Sequence, residues 1–445
     1  MSEAARPLGR AALWLALLGP FFFLSYGLAN TLAGQATQVP SVVFGWEHGL
    51  PFVPWTIVPY WSIDLFYAAS FFLCRTRREL DTHALRLLSA QLLCVGCFLL
   101  WPLRYSFVRP ETDGLFGWLF AVLLGFDKPF NQAPSLHIVL LVVLWVRYAQ
   151  HLGGVWRVLL HGWFGLIGVS VLTTYQHHFV DVPTGLAAGW LCVWLWPERI
   201  AAPFAQARLA RDSRRWRLAA VYSIGALASG AIALLIGGAG LWLLWISLAL
   251  ALVALNYALL GPGGFQKRSD GRLSLAARWL YAPYLLAAWC NSRLWTRRDP
   301  LPRVVCDGVW LGRIPLPAQR AASAAVVDVC AELSLYGARA QDVVVPMLDL
   351  VAPSPQDLRV AAQAIEVARL QGHVLVCCAL GYSRSAASVA TWLVISGRAV
   401  SVQAAIAQVR AVRPSIVLGV QHRAAIVAAC AAGNAGDAAA QQVPA

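Results

Sequence analysis

The chain has 445 residues, of which 59% are apolar and 13% charged, with 20 Trp and a formal net charge of +14 carried almost entirely by Arg. A globular chain carries roughly a quarter charged residues and a disordered one more, so a single soluble domain and a disordered chain are both excluded. In so apolar a chain the Arg excess points to the cytoplasmic loops of a membrane protein and not to nucleic acid.

Apolar runs predict membrane crossings near 11–32, 55–74, 84–103, 135–149, 156–174, 179–197, 218–237 and 241–261, most approaching the ~20 residues a helix needs to span hydrocarbon. The first run follows Arg6 and Arg10, as a signal peptide would, but its length and lack of a small-residue cleavage site favour an uncleaved anchor. Arg75, Arg77, Arg78 and Arg86 fall between crossings two and three, Arg147 and Arg157 between four and five, and Arg199, Arg208, Arg211, Arg214, Arg215 and Arg217 between six and seven. Lys267, Arg268 and Arg272 follow the last crossing, whereas 33–54, 175–178 and 238–240 hold neither Lys nor Arg. That alternation predicts about eight helices with both termini cytoplasmic. The loop 104–134 breaks it with Arg104, Arg109 and Lys128, and cations where the rule disfavours them suggest a function.

Residues 114–126 are too short to span and read as interfacial or re-entrant; 273–295, with Arg278 and Pro283, reads as a helix on the cytoplasmic surface. Beyond Pro300 short β-branched runs alternate with Ala-rich helical ones, the texture of an α/β domain. The fold class is therefore multi-domain: an all-α polytopic membrane domain followed by a C-terminal α/β domain. None of the ten Cys falls in a predicted outer loop, which argues against a disulfide framework. Cys94 and Cys97 lie inside an apolar run without accompanying His, so packing is expected there and not metal.

Three clusters are predicted on the outer side: Arg104 to Arg109-Pro110 followed by Lys128, then Pro134-Ser135-Leu136-His137, then Gln176-His177-His178-Phe179-Val180-Asp181. His177 and Asp181 are spaced i,i+4 and are expected to meet on one helix face, with His178 pointing about 100° away. Such a set suits phosphoryl transfer. A neutral imidazole attacks phosphorus, a carboxylate fixes its tautomer, a second imidazole protonates the leaving oxygen, and cations offset phosphate charge. His178, His161 and His151 are read as structural.

Over roughly 90–198 these clusters resemble the type 2 phosphatidic acid phosphatase superfamily, whose motifs read Lys-x6-Arg-Pro, Pro-Ser-x-His and Ser-Arg-x5-His-x3-Asp. The resemblance implies His177 as nucleophile, Asp181 as its partner and His137 as general acid, and Arg109-Pro110 matches the end of the first motif; Arg104, which could substitute for the missing Lys, Lys128 and Ser135 are the further candidates for binding phosphate. Pro102 stands where the first Lys belongs, and Ser170 is followed by Val171 in place of Arg. The string from Ser170 to His177 looks more like the inositol-phosphorylceramide synthase branch and related headgroup transferases.

In the C-terminal part, 373–385 runs His-Val-Leu-Val-Cys377-Cys378-Ala-Leu-Gly381-Tyr-Ser-Arg384-Ser385. A buried strand entering a tight loop and then a helix holds phosphate oxygens on backbone N–H groups and favours a thiolate. Arg384 can clamp two oxygens, Gly381 permits the bend, and Ser385 can bond the departing thiolate. This resembles the protein tyrosine phosphatase superfamily, its dual-specificity branch in particular, over about 300–430. Further matches are Gly308-Val-Trp-Leu-Gly312, Val326-Val-Asp328-Val-Cys-Ala-Glu332 and Val345-Pro-Met-Leu-Asp349. The resemblance implies attack by Cys378, a phosphocysteine intermediate and proton donation by Asp349, with Asp357 the rival acid. Cys377 replaces the family's usual His, which would slow the reaction, or could form a strained disulfide with its neighbour on oxidation.

Expected boundaries are 1–80 for N-terminal membrane helices, 81–200 for the membrane catalytic domain and 201–265 for two further membrane helices, then 266–299 for a surface linker, 300–431 for the cysteine phosphatase and 432–445 for a disordered tail. Neither chemistry calls for a cofactor or metal. The expectation is a multi-pass protein of a bacterial-type inner membrane, with the His site periplasmic and the Cys site cytoplasmic. Its substrates would be a lipid phosphate or phosphodiester outside and a phosphorylated lipid, headgroup or phosphoprotein inside. The rival readings are an anchored protein phosphatase with an independent or inactive lipid phosphatase, and a transporter or scaffold. A transporter would show paired intramembrane charges or repeated halves, and neither is found in the sequence.

Overall fold

The computed structural model describes residues 6–36, 38–125, 127–322 and 325–440, with side chains at all of these but 321–322 and 432–440. It divides into two compact units, Met1–Ala202 with Ile236–Ala239, and Pro203–Leu235 with Gly240–Ala445. Among the described residues six stretches are long and apolar enough to cross a membrane: Leu8–Gly34, Pro54–Leu73, Arg77–Leu100, Gly154–Thr173, Ser213–Ile236 and Gly238–Phe265.

The first unit consists of α1 (Leu8–Gly34), α2 (Ile57–Leu73), α3 (Arg77–Leu100), α4 (Gly114–Leu124), α5 (Leu136–His151), α6 (Gly154–Thr173) and α7 (Asp181–Leu195). Leu13, Leu17, Leu24 and Leu28 of α1 and Trp156, Val158 and Leu159 of α6 are exposed, as on lipid-facing helices. Helices α5 and α7 have 16 and 15 residues, and a rise of 1.5 Å per residue makes them shorter than the ~30 Å hydrocarbon core. They lie packed against each other: a Cβ on Gly185 would stand 2.7 Å from Ile138 Cβ, and one on Gly189 2.7 Å from Val142 Cβ. These glycines, one turn apart, let the two backbones close together. The short apolar run is α4, whose Phe120 and Leu123 pack with Ile57, Tyr60, Ile138 and Val171; Phe126 lies outside the described residues.

Two of the Arg residues counted toward orientation turn out to be structural. Arg147 is fully buried and ion-paired with Glu79 and Glu198, and Arg86 donates to Trp196 O at 2.9 Å and Glu198 at 3.4 Å. Together with His151, 2.6 Å from Glu79, they tie α3, α5 and the end of α7. A buried arginine needs such partners.

The second unit opens with α8 (Ser213–Ile236) and α9 (Leu243–Leu255), the latter continuing as a π-helical turn, Asn256–Leu260. Then come α10 (Leu275–Leu280) and α11 (Ala282–Trp295), so Pro283 starts a helix where one continuous helix was expected. The sheet has β1 (Arg303–Cys306), β2 (Val309–Arg313), β3 (Ala325–Cys330), β4 (Val343–Met347) and β5 (Val374–Cys378), in the order β1-β2-β5-β3-β4. Asp307-Gly308, both at positive φ, turn β1 into the antiparallel β2; every other pairing is parallel. Central β5 is buried along its whole length, which its Val-Leu-Val run suits. Helices α12 (Pro355–Arg369), α13 (Arg384–Ile395), α14 (Val402–Val412) and α15 (Val420–Ala440) complete the unit.

Pro203–Leu235 and the segment from Gly240 onward group with the sheet, and Lys267 is buried against it: its Nζ donates to Asp328 Oδ2 at 2.5 Å, to Leu333 O at 2.7 Å and to Cys330 O. Helix α15 runs on to Ala440, as Ala-rich sequence favours, and 441–445 lie outside the described residues.

Candidate active site

Cys378 ends β5 and Arg384 begins α13, so the intervening loop lies at the carboxyl end of the central parallel strand, where α/β sheets bind ligands. Its carbonyls are drawn outward one by one. Cys378 O accepts from Ile314 N at 2.7 Å, Ala379 O from Ser292 Oγ at 2.5 Å, Leu380 O from Arg413 at 3.2 Å and Tyr382 O from Val417 N at 2.8 Å. A peptide's N–H opposes its C=O, so these anchors turn N–H groups to the inner side of the loop. Gly381 N and Ser385 Oγ both donate to Cys378 Sγ at 3.2 Å. Gly381 has φ +77°, and a Cβ there would stand 2.5 Å from Gly312 O; only glycine fits.

Arg384 is fully buried. It bonds Glu332 through two 2.7 Å contacts, donates to Met347 O at 2.9 Å and lies 3.1 Å from Asp349 Oδ1. Its Nε is buried without a partner among the described residues, a donor left over for an oxyanion. Burial pushes the Glu332 carboxyl up, but Arg384 outweighs it and holds the group below its usual range. Burial pushes Asp349 up; Arg384 opposes and Glu332 adds, leaving the carboxyl above the usual range. A carboxyl that keeps its proton is suited to act as an acid. Asp357 instead sits in the first turn of α12, where its carboxylate accepts from Ser354 Oγ at 2.7 Å.

Period-two alternation puts Cys377 on the other face of β5 from Cys378. It is the strand partner of Asp328, and burial, then Asp328, push its thiol well up, with Lys267 opposing. All cysteines are free.

Residues 322–430 match the family described as the dual specificity phosphatase catalytic domain. The chain carries a phosphatase domain of the dual-specificity type. Among solved structures it is similar to human DUSP28 at 24% identity, covering 30% of this chain and 99% of that one with a TM-score of 0.27. A mouse putative dual specificity phosphatase complexed with zinc tungstate gives 25%, 31%, 92% and 0.28, and PTPMT1 in complex with PI(5)P gives 17%, 31%, 98% and 0.26. No curated protein matches the chain.

Outside the phosphatase domain, the first unit gathers the predicted histidines. His177 Nδ1 lies 3.1 Å from Asp181 Oδ2, and the rings of His177 and His137 are 6.4 Å apart. The pair does not share a helix face as expected. Helix α7 begins at Asp181, whose Oδ2 also accepts from His178 N at 3.0 Å, so a turn brings the two together. His137 stacks on Tyr60 at 3.9 Å. Arg109 donates to Thr174 O at 3.2 Å and lies over the Phe120 ring at 4.6 Å, which holds it beside the strand of chain leading to His177. Ser135 is buried as the N-cap of α5, accepting from Ile138 N, and its own N–H donates to Asp181 O at 3.1 Å. Its hydroxyl thus serves the helix end. Arg104 and Lys128 are exposed and form no ion pair among the described residues.

Sequence reasoning missed several partners. Glu47 takes His178 Nδ1 at 3.0 Å and Phe179 N at 2.9 Å, while His178 Nε2 meets Ser106 Oγ at 3.0 Å. A small cleft beside His137 is lined by Tyr26, Tyr60, Asp64 and Asp127 together with Phe22 and Trp61. Among the described residues no group of three or more His, Cys, Asp or Glu could hold a metal ion.

Proposed function

We propose that the chain is a bifunctional membrane phosphatase: its phosphatase domain hydrolyses a phosphomonoester through Cys378 on the cytoplasmic face, and its helical unit cleaves or transfers a lipid phosphate or headgroup through His177 on the outer face. The observation carrying the first half is the sulfur of Cys378 held by Gly381 N–H and Ser385 O–H at 3.2 Å. Sulfur attacks phosphorus while N–H groups of the loop and Arg384 take the oxygens and Asp349 protonates the leaving oxygen; water then releases phosphate from the cysteine. Ser385 supports the sulfur as it departs.

The second half is supported by the His177–Asp181 contact of 3.1 Å and by the His137 ring 6.4 Å away. Asp181 would hold Nδ1–H and leave Nε2 free to attack, and His137 would protonate the leaving group. Orientation is supported by the loops 33–54, 175–178 and 238–240, which lack Lys and Arg. Phosphate release by the full-length chain from p-nitrophenyl phosphate and from phosphatidic acid vesicles tests both halves. Cys378→Ser should abolish the first activity and His177→Ala reduce the second. Turnover of neither substrate, or turnover indifferent to both substitutions, would refute the proposal.

A further inference from the structure

Both halves of the cysteine machinery are bonded to membrane-capable or apolar-faced helices. The acid's loop is held by Tyr257, which lies in the π-helical turn within the apolar stretch Gly238–Phe265: its hydroxyl donates to Asp349 O at 3.0 Å. Tyr257 is buried and stacks at 5.6 Å and 9° on Tyr222, from the apolar stretch Ser213–Ile236. Tyr284 of α11 meets Tyr222 edge-on at 6.0 Å. The nucleophile's loop is held by α11 itself, through Ser292 Oγ to Ala379 O at 2.5 Å and Tyr382 Oη to Trp295 O at 3.3 Å. On its other faces α11 exposes Leu286 (65%), Trp289, Leu294 and Trp295 (69%). Residues 271–298 contain five Arg and no acid, the composition of a segment attracted to anionic lipid headgroups. Continuity with the two spanning stretches gives this apolar face its occupant, the lipid surface.

We infer that the cysteine site takes a phosphomonoester borne on a lipid in the plane of the membrane, with Tyr257 as a positioning residue for the acid loop; this rests on the cysteine-hydrolysis reading above. With the acid loop one tyrosine's length from a spanning helix, and the nucleophile loop on a helix with an apolar outer face, a phosphate reaches Cys378 from a headgroup without the lipid leaving the bilayer. The S–P bond forms as the P–O ester bond breaks, and the Asp349 proton goes to the lipid alcohol. Water then cleaves S–P to give inorganic phosphate and returns a proton to Asp349.

The test uses the full-length chain in phosphatidylcholine vesicles, counting only activity lost in Cys378→Ser. Phosphatidic acid in the vesicles is compared with glycerol 3-phosphate, which carries a similar ester without acyl chains, and with a phosphotyrosyl peptide. The lipid is expected to exceed both in kcat/KM by about 100-fold, the scale of a remote binding contribution. Tyr257→Phe is expected to lower kcat on the lipid by about 10-fold, a fraction of what general acid catalysis contributes. It should leave p-nitrophenyl phosphate, whose leaving group needs no proton, nearly unchanged. Equal or better turnover of the peptide or of glycerol 3-phosphate overturns the inference while p-nitrophenyl phosphate hydrolysis keeps the underlying reading. Loss of Cys378-dependent turnover on every substrate sinks both.

Discussion

Glu332 carries no chemistry in the proposed mechanism, yet it fixes the arginine that does. Its two oxygens each lie 2.7 Å from Arg384, and both side chains are almost wholly buried. Glu332→Gln keeps the shape, removes one charge-assisted bond and sets an amide N–H against a guanidinium N–H. A hydrogen bond to a charged group contributes ~1.5–3 kcal/mol, and stranding a buried charge raises the cost toward ~3–5 kcal/mol. Asp349 at 3.1 Å and Met347 O at 2.9 Å remain, which favours the lower end of that range, ~3 kcal/mol. For a unit of this size that is a fall in Tm of roughly 6–12 °C. Misalignment of the clamp should also lower kcat/KM by about 100-fold, the effect of a misplacement near 1 Å. Differential scanning calorimetry of the full-length chain in detergent and Cys378-dependent hydrolysis of p-nitrophenyl phosphate read the two effects. A variant with unchanged melting and kcat/KM within twofold of the parent would refute the view that Glu332 orients Arg384.

Asp349 has its carboxyl raised, and an acid must be protonated to donate; kcat/KM for an alkyl phosphate should therefore fall as pH rises through that raised pKa. Asp349→Asn should remove this alkaline limb and lower the plateau by about 100-fold, as a pH–rate profile would show. In the first unit, Gly189→Ala places a Cβ 2.7 Å from Val142 Cβ, forcing α5 and α7 apart at a cost of ~1–3 kcal/mol. Phosphatidic acid turnover dependent on His177 should fall while Cys378-dependent turnover stays within twofold; equal loss of both would show general misfolding instead.

What the sequence reveals depends on how far apart the partners lie along it. The loop around Cys378 is legible because its sulfur bonds come from Gly381 and Ser385, three and seven residues on. His177 and Asp181 are likewise close, although the i,i+4 spacing suggests a helix face where a helix start is found. Glu47 bonds His178 across 131 residues, Glu332 bonds Arg384 across 52 and Tyr257 bonds Asp349 across 92. No local periodicity announces such pairs. The Gly185 and Gly189 contact is an intermediate case: the small-xxx-small spacing is visible, but its partner helix is not. Apolar length matches six helical stretches long enough to cross a membrane, while the runs at α5 and α7 form helices of 16 and 15 residues packed against each other.

Lys267 offers a test of where the phosphatase unit begins. Composition places the boundary at Pro300, because the Arg-rich linker before it has the texture of a membrane surface. A lysine side chain at 0% exposure, 2.5 Å from an equally buried Asp328 Oδ2, ties that linker to the sheet. Burial pulls the ammonium down, but Asp328 more than reverses this and keeps it charged. Its hydrogen bonds reach the end of β3 and the turn beyond, on the strand that pairs with β5 and places Cys378. Lys267→Met leaves Asp328 buried without its cation, at a cost of ~3–5 kcal/mol. Lys267→Met with Asp328→Asn removes both charges while Asn still accepts from Cys330 N, and should recover most of the loss. Urea unfolding followed by Cys378-dependent activity measures both variants. If the single substitution is neutral, the linker is only a tether; if it is destabilising and the double one restores stability, residues from 266 onward are part of the structure that positions the nucleophile.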